Sequence, residues 1–289
     1  MGRPWRVRLA VVAVCGLVAA GAVWWINRDA PVPTKLPASA PQVGSCWLVD
    51  PTAAQATLPW PGGPLDCAKP HTAEVYHVGQ VDADLVRRAR GAKGDETTIA
   101  TNLMYAQARR ACDAIGRIYL GADWHQDQVT LLASWIAPAR DGFFGCALAQ
   151  TVDPGGTRYV SRTASLKGLG TPPALVIECV TKNGGALAYS PCDGAHDGEF
   201  VGTYTLTPPD APFNATAVAA AVTKGCGQEA LKYLGLPTDA TRPDLHVGYV
   251  GPTTAATWLG SDQTFACYTT AEVRMRGTLR NLGTRPLPT

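Results

Sequence analysis

Charge of either sign is in short supply: 17% of the 289 residues are charged, and 25 basic side chains stand against 23 acidic ones. Arg3, Arg6 and Arg8 precede an apolar run, so from Asn27 onward 22 basic residues face 23 acidic ones and the body is near neutral. Such a balance leaves no electrostatic footprint for a phosphate backbone, and no nucleic acid is expected as a partner. The familiar catalytic signatures are missing too: no G-x-S-x-G elbow, no H-E-x-x-H helix and no glycine-rich phosphate loop occurs. No catalytic residue, metal or cofactor is expected on that ground. With 46% hydrophobic residues, however, the chain has ample material for a core, which excludes a disordered chain.

From Leu9 to Ile26 charge is absent altogether, over 18 residues that as a helix would extend about 27 Å, close to the apolar thickness of a bilayer. The three arginines before it predict a cytoplasmic N-terminus over 1–8, and Trp24 and Trp25 stand where an interfacial aromatic belt is expected. Residues 9–26 therefore read as a single membrane span with the body outside the cytoplasm. The competing reading is a signal peptide cleaved after Ala20-Gly21-Ala22, which would release the same body as a secreted protein. A lipoprotein reading fails because Val14, not a small residue, precedes Cys15. Residues 27–42 carry four prolines without apolar periodicity and read as a stiff, extended tether.

Beyond Cys15 the cysteines fall into two sets of four, at 46, 67, 112 and 146, then at 179, 192, 226 and 267. Their surroundings match. Cys67, His71, Glu74 and Val75 share a C-x3-H-x2-E-[VF] pattern with Cys192, His196, Glu199 and Phe200. Cys112 is followed by Tyr119-Leu120-Gly121 at the same distance as Cys226 by Tyr233-Leu234-Gly235. Trp135 and Trp258 precede the last cysteines, and the heptapeptide Ser165–Thr171 is echoed by Thr278–Thr284. Matched blocks in the same order predict an internal duplication, with units over 43–171 and 172–289.

Even cysteine counts in an exported, near-neutral body point to disulfides. Four cysteines allow three connectivities per unit. The first two of each set lie in or near short strands and the third and fourth in a helix and a closing strand, which favours Cys46-Cys67, Cys112-Cys146, Cys179-Cys192 and Cys226-Cys267.

Strand alternation is expected at 72–81 and 197–206, and further strands at 129–136 and 143–151. A helix is expected from about 97 to 120 with Ile99, Leu103, Ala106, Arg110, Ala114 and Ile118 along one largely apolar stripe, Ala111, Ile115 and Leu120 beside it, and Gly121 as its stop. A second runs from Asn214, a natural cap, to Leu234, where Gly225 and Gly227 let it lie close to a sheet. The charged run within 82–97 reads as a short helix or a solvated loop, and the plainer reading is an exposed, mobile connection. The fold class is thus α+β: two tandem repeats, each an antiparallel sheet with one packed helix in a ββαββ-like order, disulfide-stapled, after the membrane helix.

His71 with Glu74, repeated as His196 with Glu199, is the polar pair common to both units. With the nearby cysteine it has the donor types of a zinc site. Three points oppose that reading: oxidised thiols are unavailable, side chains at i and i+3 on a strand face opposite ways, and His77 has no second-unit counterpart. The favoured reading is a turn whose histidine bonds the backbone or the glutamate. Trp135 and Trp258 have the faces to stack on a sugar or peptide, and tryptophans on strands facing a helix are more often core.

Together, Gly44-x-Cys46, the C-x3-H-x2-E-V block at 67–75, the helix with Cys112 and Tyr119-Leu120-Gly121, Trp135 and Gly145-Cys146 resemble the actinobacterial septum formation domain. The second unit looks like a diverged copy, with Ala195 where the first has Pro70. The resemblance implies an envelope protein connected with cell division and brings no catalytic residues. The expectation is therefore a membrane-anchored, extracytoplasmic binding or scaffolding protein, not an enzyme, whose partner is an envelope protein or polymer. The rival is an exported metal-dependent hydrolase using the His/Glu turns.

Overall fold

In a computed structural model of the chain, residues 34–54, 57–136, 141–170, 175–207, 212–259 and 261–289 are described. The expected membrane segment and the start of the tether lie outside them, and no helix among the described residues is long and apolar enough to cross a membrane. The far end of the tether is docked: Pro41 is buried and Ala40 packs on the first unit's core.

The first sheet takes strands β1 (Cys46–Trp47), β2 (Ala73–Gln80), β3 (Val129–Trp135) and β4 (Phe143–Gln150) in the antiparallel order β1-β2-β4-β3. After β1 comes the one-turn helix α1 (Pro51–Ala54), and between β2 and β3 lie α2 (Ala83–Gly91), α3 (Asp95–Leu120) and a 3-10 turn at Trp124–Gln126. One face of the sheet holds α3; the other is covered by Trp47, Val49, Leu58 and Trp60.

Of the two readings of 82–97 the helical one holds, and the plainer one, an exposed connection, does not: α2 and the start of α3 occupy most of it. The Asp82 side chain accepts from the N–H groups of Asp84 and Leu85, and Val86 and Ala89 are buried. A capped, amphipathic nine-residue stretch is stable where it has a neighbour to pack on, here α3.

The main stripe expected on α3 is the wrong face, although of the residues named beside it Leu120 is buried and Ala111 and Ile115 pack on the core. Ile99 and Leu103 are largely exposed and Ile118 is 80% exposed, whereas Ala100, Met104, Ala108, Cys112, Gly116 and Leu120 face the core. Small residues win because the helix sits close to the sheet: a methyl on Gly116 would come within 2.9 Å of the Tyr76 hydroxyl, which donates to Cys112 O.

The second sheet takes β5 (Cys179–Asn183), β6 (Ala186–Ser190), β7 (His196–Thr205), β8 (Leu245–Val250) and β9 (Thr264–Met275) in the order β6-β5-β7-β9-β8. Helix α4 (Ala215–Leu234) lies between β7 and β8, capped by Asn214, whose side chain accepts from Ala217 N, and ended by left-handed Gly235. A side chain at Gly225 would strike the Tyr204 ring, while Gly227 faces open space, so one glycine of the pair permits the close approach. Short helix α5 (Ala255–Leu259) precedes β9 and carries Trp258, which packs on Phe213 in the core. Trp258 is therefore a helical residue and Trp135 a strand residue; they are matched in order along the chain but not in the element that holds them.

Without β6, the order β5-β7-β9-β8 repeats β1-β2-β4-β3, and each long helix follows the second strand of that set. Disulfides join Cys46 to Cys67, Cys112 to Cys146, Cys179 to Cys192 and Cys226 to Cys267. In each unit one bond clips the first strand and the other ties the long helix to the strand second from the edge. Between the units, Gln128 N donates to Leu175 O and Ile177 N to Gln126 O, a short ladder that seats Leu175 in the first core.

Candidate functional site

The matched sequence blocks converge on two buried glutamates. Glu74 lies on β2 opposite Cys46, as Glu199 lies on β7 opposite Cys179. The oxygens of Glu74 accept from Leu166 N at 2.7 Å, Ser165 Oγ at 2.8 Å and the Tyr119 hydroxyl at 2.9 Å, with His71 Nε2 at 3.1 Å. Those of Glu199 accept from Leu279 N at 2.7 Å, Thr278 Oγ1 at 3.1 Å and the Tyr233 hydroxyl at 2.6 Å. His196 Nε2 stands farther off, at 3.6 Å. In both units the histidine's other nitrogen reaches a carbonyl two residues earlier, Lys69 O or Gly194 O.

The contact between i and i+3 has a local reason in each case. His71 precedes β2, where it exchanges backbone hydrogen bonds with Arg162, and so escapes the strand alternation. His196 begins β7, but the register slips between it and Gly198. The heptapeptides are clasps on the helix ends: Gly168 and Gly170 donate to Tyr119 O and Leu120 O, and Asn281 and Gly283 to Tyr233 O and Leu234 O. They satisfy carbonyls that a helix C-terminus otherwise leaves unpaired.

These cages do not fit a metal. Cys46 and Cys179 lie close enough to be ligands with their His/Glu pairs, but both sulfurs are in disulfides. The glutamate oxygens are taken by hydroxyls and a backbone N–H, and both glutamates are 1% exposed or less. What the cages do is join three distant segments of chain through one buried acceptor.

A different polar group lies where the units meet, and it has no repeat. His125 on the 3-10 turn is stacked on Trp124; its Nδ1 is 2.8 Å from Asp123 Oδ1 and its Nε2 is 2.8 Å from Asp262 Oδ2 of the second unit. Arg117 holds Asp113 at 3.2 Å and Asp123 at 2.9 Å and approaches Asp262 at 3.9 Å. Trp124 donates to Asp113, and Arg109 lies over its ring. Asp113, His125 and Asp262 have the spacing of metal ligands, yet the Arg117 guanidinium already neutralises the same carboxylates.

Burial alone would lower the His125 pKa, but the hydrogen bonds and charges of Asp123 and Asp262 outweigh it and the pKa is raised. For Asp262 burial acts upward, and the His125 hydrogen bond and charge bring it down to about 2. The inter-unit contact through His125 is thus complete below the ordinary imidazole value of 6.5 and is lost as pH climbs through the raised value. The share due to Asp262 is present above its ordinary 3.8 and disappears only as pH falls toward 2. Small-angle scattering is expected to show the units loosening as pH rises above the ordinary imidazole value of 6.5, with Asp262→Asn loosened throughout and losing about 1 kcal/mol. A compact form unchanged to alkaline pH in the native chain would contradict the assignment.

Next to this latch, a cleft of about 770 Å³ runs between the units, along β3 and across to Val250, Ser261 and Thr264. Trp135 lies in it, edge-on to Tyr105 at 6.2 Å between ring centres. Asp127 also lines it, 2% exposed, with Oδ2 lacking any hydrogen-bond partner among the described residues. Burial first, then the Asp123 charge, push the Asp127 carboxyl up to about 6.

Of the residues singled out from sequence, His71, Glu74 and Tyr119 meet in one cage and His196, Glu199 and Tyr233 in the other; Trp135 lies in the cleft and Trp258 in the core. Asp113, His125, Asp127 and Asp262 were not legible. Asp262 lies far along the chain from the other three and none of the four falls in a matched block, so comparing the blocks passes over them.

Comparison with known proteins finds no curated protein and no solved structure that matches the chain. A family model described as septum formation does match, from residue 43 to residue 267, and so extends through the first unit and most of the second. The chain belongs to the septum formation family.

Proposed function

We propose that this protein is a membrane-anchored, extracytoplasmic binding or scaffolding module of the cell envelope that acts in septum formation, and that its two units arose by duplication. The observation that carries the non-enzymatic reading is the saturation of the repeated polar groups. Glu74 and Glu199 spend their oxygens on the fold itself, so the residues common to both units hold it together rather than face a substrate. The cleft between the units, with its aromatic and polar lining, is the surface left for a partner. Membership of the septum formation family supports the connection with cell division, and four disulfides agree with an oxidising compartment outside the cytoplasm. The common strand order, disulfide placement and cages support the duplication.

A tagged full-length copy is expected to concentrate at the division site, and deletion to delay or misplace septa. An even distribution over the envelope together with normal division after deletion would overturn the reading.

A further inference from the structure

We propose that the cleft between the units binds a ligand carrying an ammonium group on an aliphatic stem, such as a lysine-like side chain of an extended peptide, and that Asp127 is the group that receives it. The proposal rests on the binding reading above and adds the chemistry of the ligand.

The argument begins with an imbalance. Asp127 is almost wholly buried, yet among the described residues no cation forms an ion pair with its carboxyl, and Oδ2 has no donor. The carboxylates of the adjoining latch are provided for. Asp113 and Asp123 lie against Arg117, and Asp262 lies against His125. A buried carboxylate left unpaired carries a large desolvation cost, which an ammonium of a bound partner would offset with charge and hydrogen bonds together.

The surroundings select the partner. A divalent cation needs several oxygens, and the carboxylates that could assist Asp127 are already engaged with Arg117 and His125. A hydroxyl would supply a hydrogen bond but leave the charge uncompensated. An ammonium satisfies both needs, and the cleft provides aromatic surface for its stem from Tyr105, Trp135, Tyr159 and Tyr189. Its volume of about 770 Å³ admits a short peptide rather than an amine alone. Because the lining comes from both units, a ligand seated there would also bear on the latch formed by His125 and Asp262.

The test uses the full chain and two peptides, N-acetyl-Ala-Lys-Ala-amide and the same peptide acetylated on the lysine nitrogen, followed by calorimetry and by NMR shifts of the tryptophan indoles. The lysine peptide is expected to bind with a dissociation constant on the order of millimolar, and acetylation to weaken it at least about tenfold. Asp127→Asn should weaken the unmodified peptide by the same factor, and binding to the native chain should decline as pH falls below the region of 6. Equal binding of the two peptides, an unaltered affinity in Asp127→Asn, or no binding at millimolar concentration would each overturn the proposal. The acetylated peptide probes charge recognition on the native chain, whatever the substitution does to folding. If septal localisation persists while the lysine preference fails, the ligand assignment alone falls; if localisation fails while the preference holds, the fault lies with the septal reading.

Discussion

Truncating Glu74 to alanine is expected to destabilise the first unit by about 3 to 5 kcal/mol, the range found when one partner of a buried polar cluster is removed. The loss is large because one side chain serves four donors: Leu166 N, Ser165 Oγ, the Tyr119 hydroxyl and His71 Nε2. Removing it strands all of them in an environment where each unmade hydrogen bond costs about 1 to 3 kcal/mol, relieved by whatever water enters. A folded domain's whole stability is only about 5 to 15 kcal/mol, so the variant should melt on the order of 10 °C lower. Hydrogen exchange should show the change confined to the first unit. Glu199→Ala is expected to do the same in the second, somewhat less severely, because His196 lies beyond hydrogen-bonding distance there. A melting temperature shifted by less than about 3 °C in both variants would mean that the cages are incidental to stability.

Graded reduction should separate the four disulfides into two pairs. Cys67 and Cys192 are partly accessible, whereas Cys112, Cys146, Cys226 and Cys267 are fully buried. Thiol attack needs access, so the two strand clips should open first under native conditions, and the two helix ties only with unfolding. The ties close separations of 34 and 41 residues, and the chain-entropy model gives each about 4 kcal/mol. Replacing Cys112 and Cys146 with alanine should therefore cost the first unit a large part of its stability and free α3 from the sheet. Peptide mapping after timed reduction and alkylation reads the order directly. Simultaneous loss of all four bonds would show that burial does not govern their accessibility.

How much of this was legible in the sequence follows from what kind of signal each feature leaves. The strands at 73–80, 129–135 and 143–150 lie close to their expected places because alternating or continuous apolar runs bounded by turn residues are local signals. So are the capped ends of α4 at Asn214 and Gly235. The sheet side of α3 was not legible, because alanine, cysteine and glycine were chosen for closeness to the sheet while Ile99 and Ile118 stayed outside. Hydrophobicity ranks those residues in the opposite order from packing distance. The repeated blocks marked His71, Glu74, Tyr119 and the 165–171 heptapeptide as related, but not that all of them meet at one carboxylate. Pairing across some 90 residues leaves no trace in spacing. The cleft with Asp127 lies at the opposite extreme, since apart from Trp135 none of its lining falls in a matched block and it gains its meaning only from the seating of one unit against the other.

The clasps also determine where this protein can be cut. The stretch matched by the family model stops at Cys267, yet the group that closes over Glu199 is contributed by Thr278 and Leu279, and the cover on the end of α4 by Asn281 and Gly283. A recombinant fragment trimmed to 43–267 would contain every paired cysteine and every strand start, and would still expose an unclasped buried glutamate. Likewise a first-unit fragment ending with its sheet at Gln150 would omit Ser165 and Leu166. Boundaries for expression, crystallisation or domain exchange therefore belong after residue 170 and after residue 283, beyond the points that strand content or family similarity would suggest.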